Sequence, residues 1–330
     1  MTAESLPAVS VLVVTKGNHP GVERAVASLT AGDYPEQQVE IVVVEETGSP
    51  QAVTGERVRY VPVPETDRGY GYARNQALVH ATADIVAFTD DDCVVDAAWL
   101  RHLVRPLLED DRIMAVGGCV RVPPCGPVGQ CESILGFPGG GVKYLHASVG
   151  AVITRNTFST CNCAIRTEAL AKVGGFNDAL RYGGEDEALS REIAARWRVV
   201  YAPDAVVYHE PRDSLSRVFR WFIRRGIAQA RMRTFTPHPG RARIRAVTNS
   251  PLVRLALLAG VAVILRIPLL PLLAGAGAVW YAVVLARFRW ARKYYPSQKT
   301  YLLIPVVKAV MDVGMDIGRL ASPYIGRGTP

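Results

Sequence analysis

The chain has 330 residues, of which 49% are hydrophobic and 21% charged, and its formal net charge is +8 at pH 7. This composition excludes an intrinsically disordered, collagen-like or small disulfide-stapled protein, and the length suffices for about two domains. The charge is uneven, because residues 1–210 carry 18 Lys and Arg against 27 Asp and Glu, whereas residues 211–330 carry 20 against 3. The basic residues flank the most apolar stretch of the chain, which favours anionic lipid as a partner. No nucleic-acid-reading motif occurs, so we expect no nucleic-acid partner.

The six cysteines are predicted to be reduced cytosolic thiols. The chain is not a short secreted sequence, and its N-terminus MTAESLPAVS has no basic-then-apolar signal pattern. Five residues separate Cys119 from Cys125 and Cys125 from Cys131, which is not a zinc-site spacing, and neither is the spacing of Cys161 and Cys163. We therefore expect no structural metal at these cysteines.

The first part of the chain alternates strand-like and helix-like patterns. Runs of β-branched residues predict buried strands over Val9–Val14 and Val39–Val44. A shorter third strand is predicted over Arg57–Pro62 and a fourth over Asp84–Thr89. Amphipathic spacing predicts helices over Pro20–Leu29 and Gly71–Ala81. Strands alternating with helices at these lengths predict an α/β fold with a mostly parallel sheet and helices on both faces.

The pattern weakens from Gly117 to Val152, where glycine and proline predict loops. Beyond it, helices are predicted over Thr167–Val173 and Glu185–Trp197. Two further strands are predicted over Trp197–Tyr201 and Val206–His209.

Polar clusters follow three of the predicted strands, at residues 15–18, 45–49 and 90–92. Open α/β sheets bind ligands at the carboxyl ends of their strands, so we expect the functional site there. No G-x-G-x-x-G follows the first strand and no G-x-x-x-x-G-K-[ST] occurs, which disfavours an ordinary Rossmann dehydrogenase and a P-loop NTPase. The adjacent carboxylates of Asp90, Asp91 and Asp92 repel one another unless a cation or solvent screens them. Both a Mg²⁺ or Mn²⁺ site and a solvated acidic turn fit this pattern.

A second acidic cluster, residues 185–187, follows two glycines at the start of a predicted helix. One interpretation is that its carboxylates cap the helix N-terminus. The other is that one of them acts as a general base. His209, at the end of a predicted strand, is either a metal ligand or a structural imidazole.

The C-terminal part has a basic segment and two apolar stretches. In residues 212–250, arginines alternate with aromatic residues, which predicts an amphipathic helix lying against a bilayer. Leu252–Leu265 and Ile267–Ala286 predict a helical hairpin, either spanning or re-entrant, with a buried hairpin of a soluble oligomer as the alternative. The hairpin has basic residues on both sides, which predicts that both its ends are cytoplasmic: Arg241, Arg243, Arg245, Arg287, Arg289, Arg292 and Lys293. Tyr301–Leu320 is amphipathic, and its two aspartates disfavour a spanning role.

Seven segments occur in an order that carries a family resemblance: VSVLVVTKGNHPGVERAVASL, EIVVVEETGS, DRGYGYARNQAL, DIVAFTDDDCVVDAAWL, CNCAIRTEALAKVGGFNDAL, GGEDEAL and VVYAPDAVVYHEP. Over about residues 8–233 the chain resembles the family 2 glycosyltransferases. The resemblance implies a GT-A fold, in which an α/β domain binds a nucleotide sugar and a divalent cation. We expect this domain over residues 1–211, a basic interfacial segment over 212–250 and a helical region over 251–330.

The resemblance also implies roles for individual residues. The implied catalytic base is Asp186, and the implied ligands of Mn²⁺ or Mg²⁺ are Asp92 and His209. Glu45 stands where the family usually has Asp. The implied nucleotide-sugar-binding residues are Thr15, Glu45, Asp67, Arg74, Asn75, Asp90, Asp91 and Glu185. The expected acceptor-side or membrane-proximal residues are Arg220, Trp221, Arg224 and Arg225.

The leading hypothesis is an inverting, metal-dependent glycosyltransferase at the cell membrane, with its catalytic domain on the cytoplasmic side. Its donor would be a UDP-, GDP- or dTDP-linked sugar, and its acceptor a lipid-linked or cell-envelope glycan. Two alternatives stay open at this point. One is a polyprenyl-phosphate sugar synthase, and the other is a non-catalytic, membrane-anchored glycan-binding subunit.

Overall fold

The computed structural model describes residues 6–55, 57–66, 68–148, 157–232, 240, 244 and 247–322. Asp67 lies outside the described residues, as do Arg241, Arg243 and Arg245 of the basic cluster before the predicted hairpin. The chain divides into two compact units. The first comprises Met1–Pro123 and Gly136–Glu210, and the second comprises Pro124–Leu135 and Pro211–Pro330. The sequence-based boundaries at 211/212 and 250/251 stay predictions.

The first unit is built on an eight-stranded mixed sheet. Its strands are β1 Val9–Thr15, β2 Val39–Glu46, β3 Val58–Val63, β4 Ile85–Asp90, β5 Cys93–Val95, β6 Ile113–Arg121, β7 Asn162–Arg166 and β8 Arg198–His209. Their order is β3-β2-β1-β4-β7-β6-β8-β5. The predicted parallel arrangement holds for β3-β2-β1-β4 and for the β6–β8 pair, whereas β7 and β5 run antiparallel to their neighbours.

The helices are α1 His19–Thr30, α2 Tyr70–Leu78, α3 Trp99–Glu109, α4 Pro127–Ile134, α5 Gly141–Ala147, α6 Thr167–Val173, α7 Glu185–Arg196, α8 Leu215–Met232, α9 Pro251–Leu265, α10 Leu269–Arg287 and α11 Gln298–Ala321. Of these, α4 and α8 to α11 belong to the second unit.

The central strands β1, β2 and β4 are largely buried on both faces because helices cover each face, whereas β3 at the edge of the sheet is only partly buried. Alternate residues of a strand point to opposite sides of the sheet, which separates the core into two layers. Val11 and Val13 lie in the layer that contains Trp99 of α3, and Leu12 lies in the layer that contains Leu189 of α7. The apolar runs predicted over Val9–Val14 and Val39–Val44 therefore form central strands, and the predicted third strand forms the edge strand β3.

One predicted pair of strands is a single strand. The sequence Ala202-Pro203-Asp204 looks like a break between Trp197–Tyr201 and Val206–His209, but β8 runs through it. The ladder with β6 instead shifts register there, pairing Gly118 with Ala202 and Cys119 with Val206. A bulge accommodates a proline that a regular central strand does not tolerate.

Helix α8 is held against α11 in the second unit. A Cβ at Gly226 would meet the backbone oxygen of Met315, and one at Gly314 would lie 3.0 Å from the backbone oxygen of Phe219. Val218 and Phe222 are buried. The apolar face of α8 therefore packs on protein, and the interfacial role predicted for residues 212–250 stays a prediction.

The two apolar stretches form separate helices. Ser250 caps α9 by accepting a hydrogen bond from the Val253 N–H at 3.1 Å, and Arg266, with a φ of 54°, ends it. Helix α9 has 15 residues, fewer than the roughly 20 that span a bilayer core. Within the described part of the chain, α10 is the one helix long and apolar enough to cross a membrane.

Candidate active site

Three polar residues lie together at the carboxyl edge of the sheet. Thr15 ends β1, Glu45 lies opposite Thr15 on β2, and Asp90 on β4 lies opposite Val14. Because β1 lies between β2 and β4, the ends of the three strands form one edge of the sheet. The sequence places the site at this edge, and the register brings the three residues there.

The three adjacent aspartates have different partners. Asp90 binds Arg74 at 3.1 Å, Asp91 accepts a hydrogen bond from the Thr15 hydroxyl at 2.6 Å, and Asp92 Oδ1 lies 3.5 Å from His209 Nε2. Burial raises the pKa of Asp91 even though Thr15 donates to it. Repulsion among the three carboxylates is thus offset by separate protein groups as well as by solvent.

Arg74 connects two acidic elements that are far apart in sequence. Its buried guanidinium binds Asp90 at the end of β4 and also binds Glu185 at the start of α7. The ring of Tyr70 lies 5.5 Å from the guanidinium carbon. Burial alone would lower the pKa of Arg74, but the nearby carboxylates of Asp90, Glu185 and Asp186 outweigh burial and raise it. Arg74 therefore stays charged and holds α7 beside the end of β4.

Glu185 is a buried carboxyl group. Its ion pair with Arg74 does not fully offset the effect of burial on its pKa. Burial, assisted by the charge of Asp186 and opposed by Arg74, raises the pKa of Glu185 to about 7. Among the described residues, no hydrogen-bond partner lies near its buried Oε2. An arginine keeps its proton in proteins, so the proton lost or gained near neutral pH is that of Glu185.

Asp186 lies in the first turn of α7, which follows two glycines in the left-handed region, Gly183 with a φ of 108° and Gly184 with a φ of 93°. Its Oδ1 accepts a hydrogen bond from the Glu187 N–H at 2.8 Å, so part of its charge caps the helix. Its Oδ2 accepts one from the Ser159 hydroxyl at 3.3 Å. The sequence alone does not identify Ser159, because it lies 27 residues away in a loop without a distinguishing pattern.

His209 presents one ring nitrogen to Asp92. Its Nδ1 lies 3.0 Å from the backbone carbonyl oxygen of Glu210, which can only accept, so Nδ1 carries a proton. Imidazole and carboxylate are donors that Mn²⁺ and Mg²⁺ accept in proteins. The donor set therefore fits the divalent cation that the resemblance implies.

Glu45 is fully buried beneath the strand ends. Its Oε2 accepts hydrogen bonds from the Tyr60 hydroxyl and from the Gln51 N–H at 3.3 Å, and its Oε1 lies 3.2 Å from His19 Nε2. Burial, together with Glu45, raises the pKa of Tyr60 to about 12, so the phenol keeps its proton and donates. Glu45 is one methylene longer than the aspartate usual in the family, and its carboxylate contacts Tyr60, Gln51 and His19 inside the protein.

The remaining predicted residues have structural contacts. Asn75 binds the backbone N–H and carbonyl of Phe176, both at 2.9 Å, and its amide also donates to Asp178 at 2.6 Å.

Within the second unit, Trp221 of α8 packs against Arg212 and Arg225, whose guanidinium carbons lie 4.0 and 5.5 Å from its ring centre. Arg220 and Arg224 on the same helix are exposed.

The profile of the family described as "Glycosyltransferase like family 2" matches residues 6–227 of this sequence. The chain belongs to this family. It is a glycosyltransferase, and the resemblance stated from its motifs is confirmed. Glycosyltransferase AglE of Haloferax volcanii is 24% identical over 226 residues, covering 66% of this chain and 72% of that protein. The pre-mycofactocin glycosyltransferase of Mycobacterium tuberculosis is 26% identical over 224 residues, covering 63% of this chain but only 43% of that protein.

A solved structure supports the fold. The mannosyltransferase PcManGT from Pyrobaculum calidifontis, in complex with GDP-Man and Mn²⁺, superimposes with a TM-score of 0.57 at 21% identity, covering 98% of this chain and 88% of that one. The predicted GT-A fold is confirmed by this likeness. The ligands named belong to that protein.

Proposed function

We propose that the protein transfers a sugar, with inversion, from a nucleotide-diphosphate sugar to an acceptor hydroxyl, with Asp186 as the general base. The observation that carries this proposal is the Arg74 bridge. Arg74 binds both Asp90, at the strand ends where α/β folds bind ligands, and Glu185, the neighbour of Asp186. A base is thereby held beside the donor site.

On the donor side, Thr15, Glu45 and Asp90 form the nucleoside edge of the proposed site, while Asp92 and His209 would hold Mn²⁺ or Mg²⁺. When bound, such a cation stabilises the negative charge of the departing diphosphate. The GDP-Man and Mn²⁺ of PcManGT make a GDP-linked sugar the first donor to test, followed by UDP- and dTDP-linked sugars.

On the acceptor side, Asp186 would take the proton of the attacking hydroxyl. The Ser159 hydroxyl and the Glu187 N–H fix the orientation of its carboxylate. Burial raises the pKa of Glu185, and its protonated form relieves the repulsion between the two carboxyl groups.

The exchange of Asp186 for asparagine tests this role. We expect kcat to fall by about 10²–10⁴-fold, the usual contribution of a general base, while the nucleotide binds with nearly unchanged affinity. Glu187→Gln is the matched control, because it changes the next carboxyl of the same helix turn. Equal loss of nucleotide affinity and turnover in Asp186→Asn would assign Asp186 to donor binding instead. Full activity of that variant on a polyprenyl phosphate, whose acceptor oxygen is already ionised, would also refute the base role.

The protein is further proposed to associate with the cytoplasmic side of a membrane and to use a lipid-linked or cell-envelope glycan as acceptor. Helices α9 and α10 expose large apolar side chains, among them Val263, Ile264 and Leu270 at 78%, 79% and 80%. Soluble monomers rarely expose contiguous apolar surface of this kind. Basic residues after α10, such as Arg289 and Arg292, are suited to anionic head groups.

Flotation of the purified chain with vesicles tests the association. We expect it to float with anionic vesicles, less with zwitterionic ones, and not after the double exchange Leu270→Lys and Val279→Lys. Thermal unfolding of the double variant controls for folding. A different result would contradict membrane association. If the wild-type chain does not float with vesicles and forms an oligomer without detergent, a second copy of the chain covers α9 and α10 instead.

A further inference from the structure

Cys93 is a buried thiol beside the residues proposed to hold the cation. It begins β5, and the antiparallel register between β5 and β8 pairs it directly with His209. Side chains of directly paired residues lie on the same face of a sheet, with Cβ atoms about 4.5–5.5 Å apart. The sheet register itself therefore places a sulfur next to the His209 imidazole.

Three different donor atoms converge at this point. The Cys93 sulfur lies 4.0 Å from Asp92 Oδ1, and Asp92 Oδ1 lies 3.5 Å from His209 Nε2. The carboxylate oxygen, the sulfur and the ring nitrogen all lie within 4.8 Å of one another. Tetrahedral Zn²⁺ with ordinary bond lengths separates its nitrogen and oxygen ligands by about 3.4 Å, and its sulfur and oxygen ligands by about 3.6 Å. The observed nitrogen–oxygen separation is close to the first value, whereas the sulfur–oxygen separation of 4.0 Å is longer than the second, so the sulfur must move slightly toward the ion.

We propose that Asp92, Cys93 and His209 form a binding site for one thiophilic divalent cation, of the Zn²⁺ or Cd²⁺ class. Mn²⁺ and Mg²⁺ prefer oxygen ligands, so they would bind chiefly the carboxylate, with the imidazole as a weaker ligand, whereas Zn²⁺ and Cd²⁺ also bind the sulfur. On binding, the Cys93 S–H bond breaks, an S–metal bond forms and the proton passes to water. No electron is transferred.

A second group shares the same imidazole. Asp90, the Cys161 sulfur and His209 also lie within 4.8 Å of one another. The proposal assigns the ion to Cys93, because the Asp92–His209 separation is close to that of a coordination shell and because Asp90, unlike Asp92, binds Arg74 at 3.1 Å. Cys161 provides the comparison variant.

The consequence for catalysis rests on the proposed function, although the binding itself does not. An ion held by Asp92 and His209 takes both residues assigned to the Mn²⁺ or Mg²⁺ of the donor complex. Zn²⁺ binds a given set of ligands more tightly than Mn²⁺ does. We therefore expect Zn²⁺ and Cd²⁺ to compete with Mn²⁺ for this site.

Cadmium titration of the metal-free full chain, without nucleotide, tests the binding. We expect an ultraviolet thiolate-to-cadmium charge-transfer band that saturates at one ion per chain, with release of one proton. The band should disappear in Cys93→Ser and Cys93→Ala, each checked for folding by thermal unfolding. It should persist in Cys125→Ser, which alters a half-buried thiol of the second unit. Absence of the band from the wild type, its persistence in both Cys93 variants, or its loss in Cys161→Ser alone would overturn the proposal.

A competition experiment separates this proposal from the proposed function. Excess Mn²⁺ with GDP or UDP should weaken the apparent cadmium affinity by at least tenfold. If cadmium binds through Cys93 but neither Mn²⁺ nor the nucleotide weakens its binding, the thiophilic site stands and the proposed position of the catalytic cation fails.

Discussion

Replacing Glu185 with glutamine removes a buried carboxyl group whose pKa in the folded protein lies well above its value in the unfolded chain. Glutamine keeps an oxygen for Arg74 and nearly the same volume, but it carries no charge and no titratable proton. In the folded protein the pKa of Glu185 is raised from 4.5 to about 7, chiefly by burial. That difference of about 2.5 pKa units corresponds to a free energy of about 3 kcal/mol, since one unit is worth about 1.4 kcal/mol.

The sign of the effect follows from which state holds the proton. As the pH rises from about 4.5 to about 7, the unfolded chain releases the Glu185 proton first, while the folded protein retains it. The folded state therefore binds more protons in this window, and the free energy of unfolding decreases with rising pH. Below about pH 4.5, Glu185 is protonated in both states and adds no pH dependence to the free energy of unfolding. Above about pH 7, its ionisation lowers that free energy by the full amount. The Glu185→Gln variant lacks this contribution.

Urea unfolding of wild type and Glu185→Gln at pH 4.5 and pH 8 measures the difference. We expect the unfolding free energy of the variant, relative to wild type, to increase by about 3 kcal/mol between the two pH values. Glu187→Gln, on the same turn but paired with Arg191, should keep the wild-type dependence. Parallel curves for wild type and Glu185→Gln would refute the argument that burial outweighs the Arg74 ion pair.

Three further changes test other contacts of the site. Ser159→Ala removes the hydroxyl that donates to Asp186, so kcat should fall about tenfold with an unchanged KM for the donor, and Ser159→Thr should restore it; a changed donor KM in steady-state kinetics would contradict the positioning role. Arg74→Met leaves two carboxylates without their cation, so the free energy of unfolding should fall by about 3–5 kcal/mol, and an unchanged midpoint would contradict the bridge. Removal of divalent cations with EDTA should weaken nucleotide binding in calorimetry as much as Asp92→Asn does, and equal affinity with and without EDTA would contradict the cation site.

Much of the first unit follows from local patterns in the sequence. The β-branched runs are recognisable because a strand covered on both faces excludes polar residues. Helix α6 agrees with its predicted limits at both ends. Helix α3 and strands β5 and β6 escaped prediction. Pro106 lies inside α3, and Gly117 and Gly118 lie inside β6, where they look like loop residues.

Gly118 shows why that part of the sheet could not be predicted. A Cβ at Gly118 would overlap the side-chain amide of Asn162. The same amide donates to the backbone oxygens of Cys119 and Ala205 and accepts from the Trp99 indole at 2.8 Å. The glycine is required by a partner 44 residues away, and no local pattern records that requirement.

The motifs and the periodicity of neighbouring residues were enough to recognise the family and to locate the main strands along the chain, and they predict a site at the carboxyl ends of those strands. Which groups meet there depends on tertiary contacts. Asp90, Asp91 and Asp92 are adjacent in sequence, yet they contact Arg74, Thr15 and His209. Those partners come from three separate elements, so strand pairing and helix packing, rather than any local motif, bring them to the aspartates.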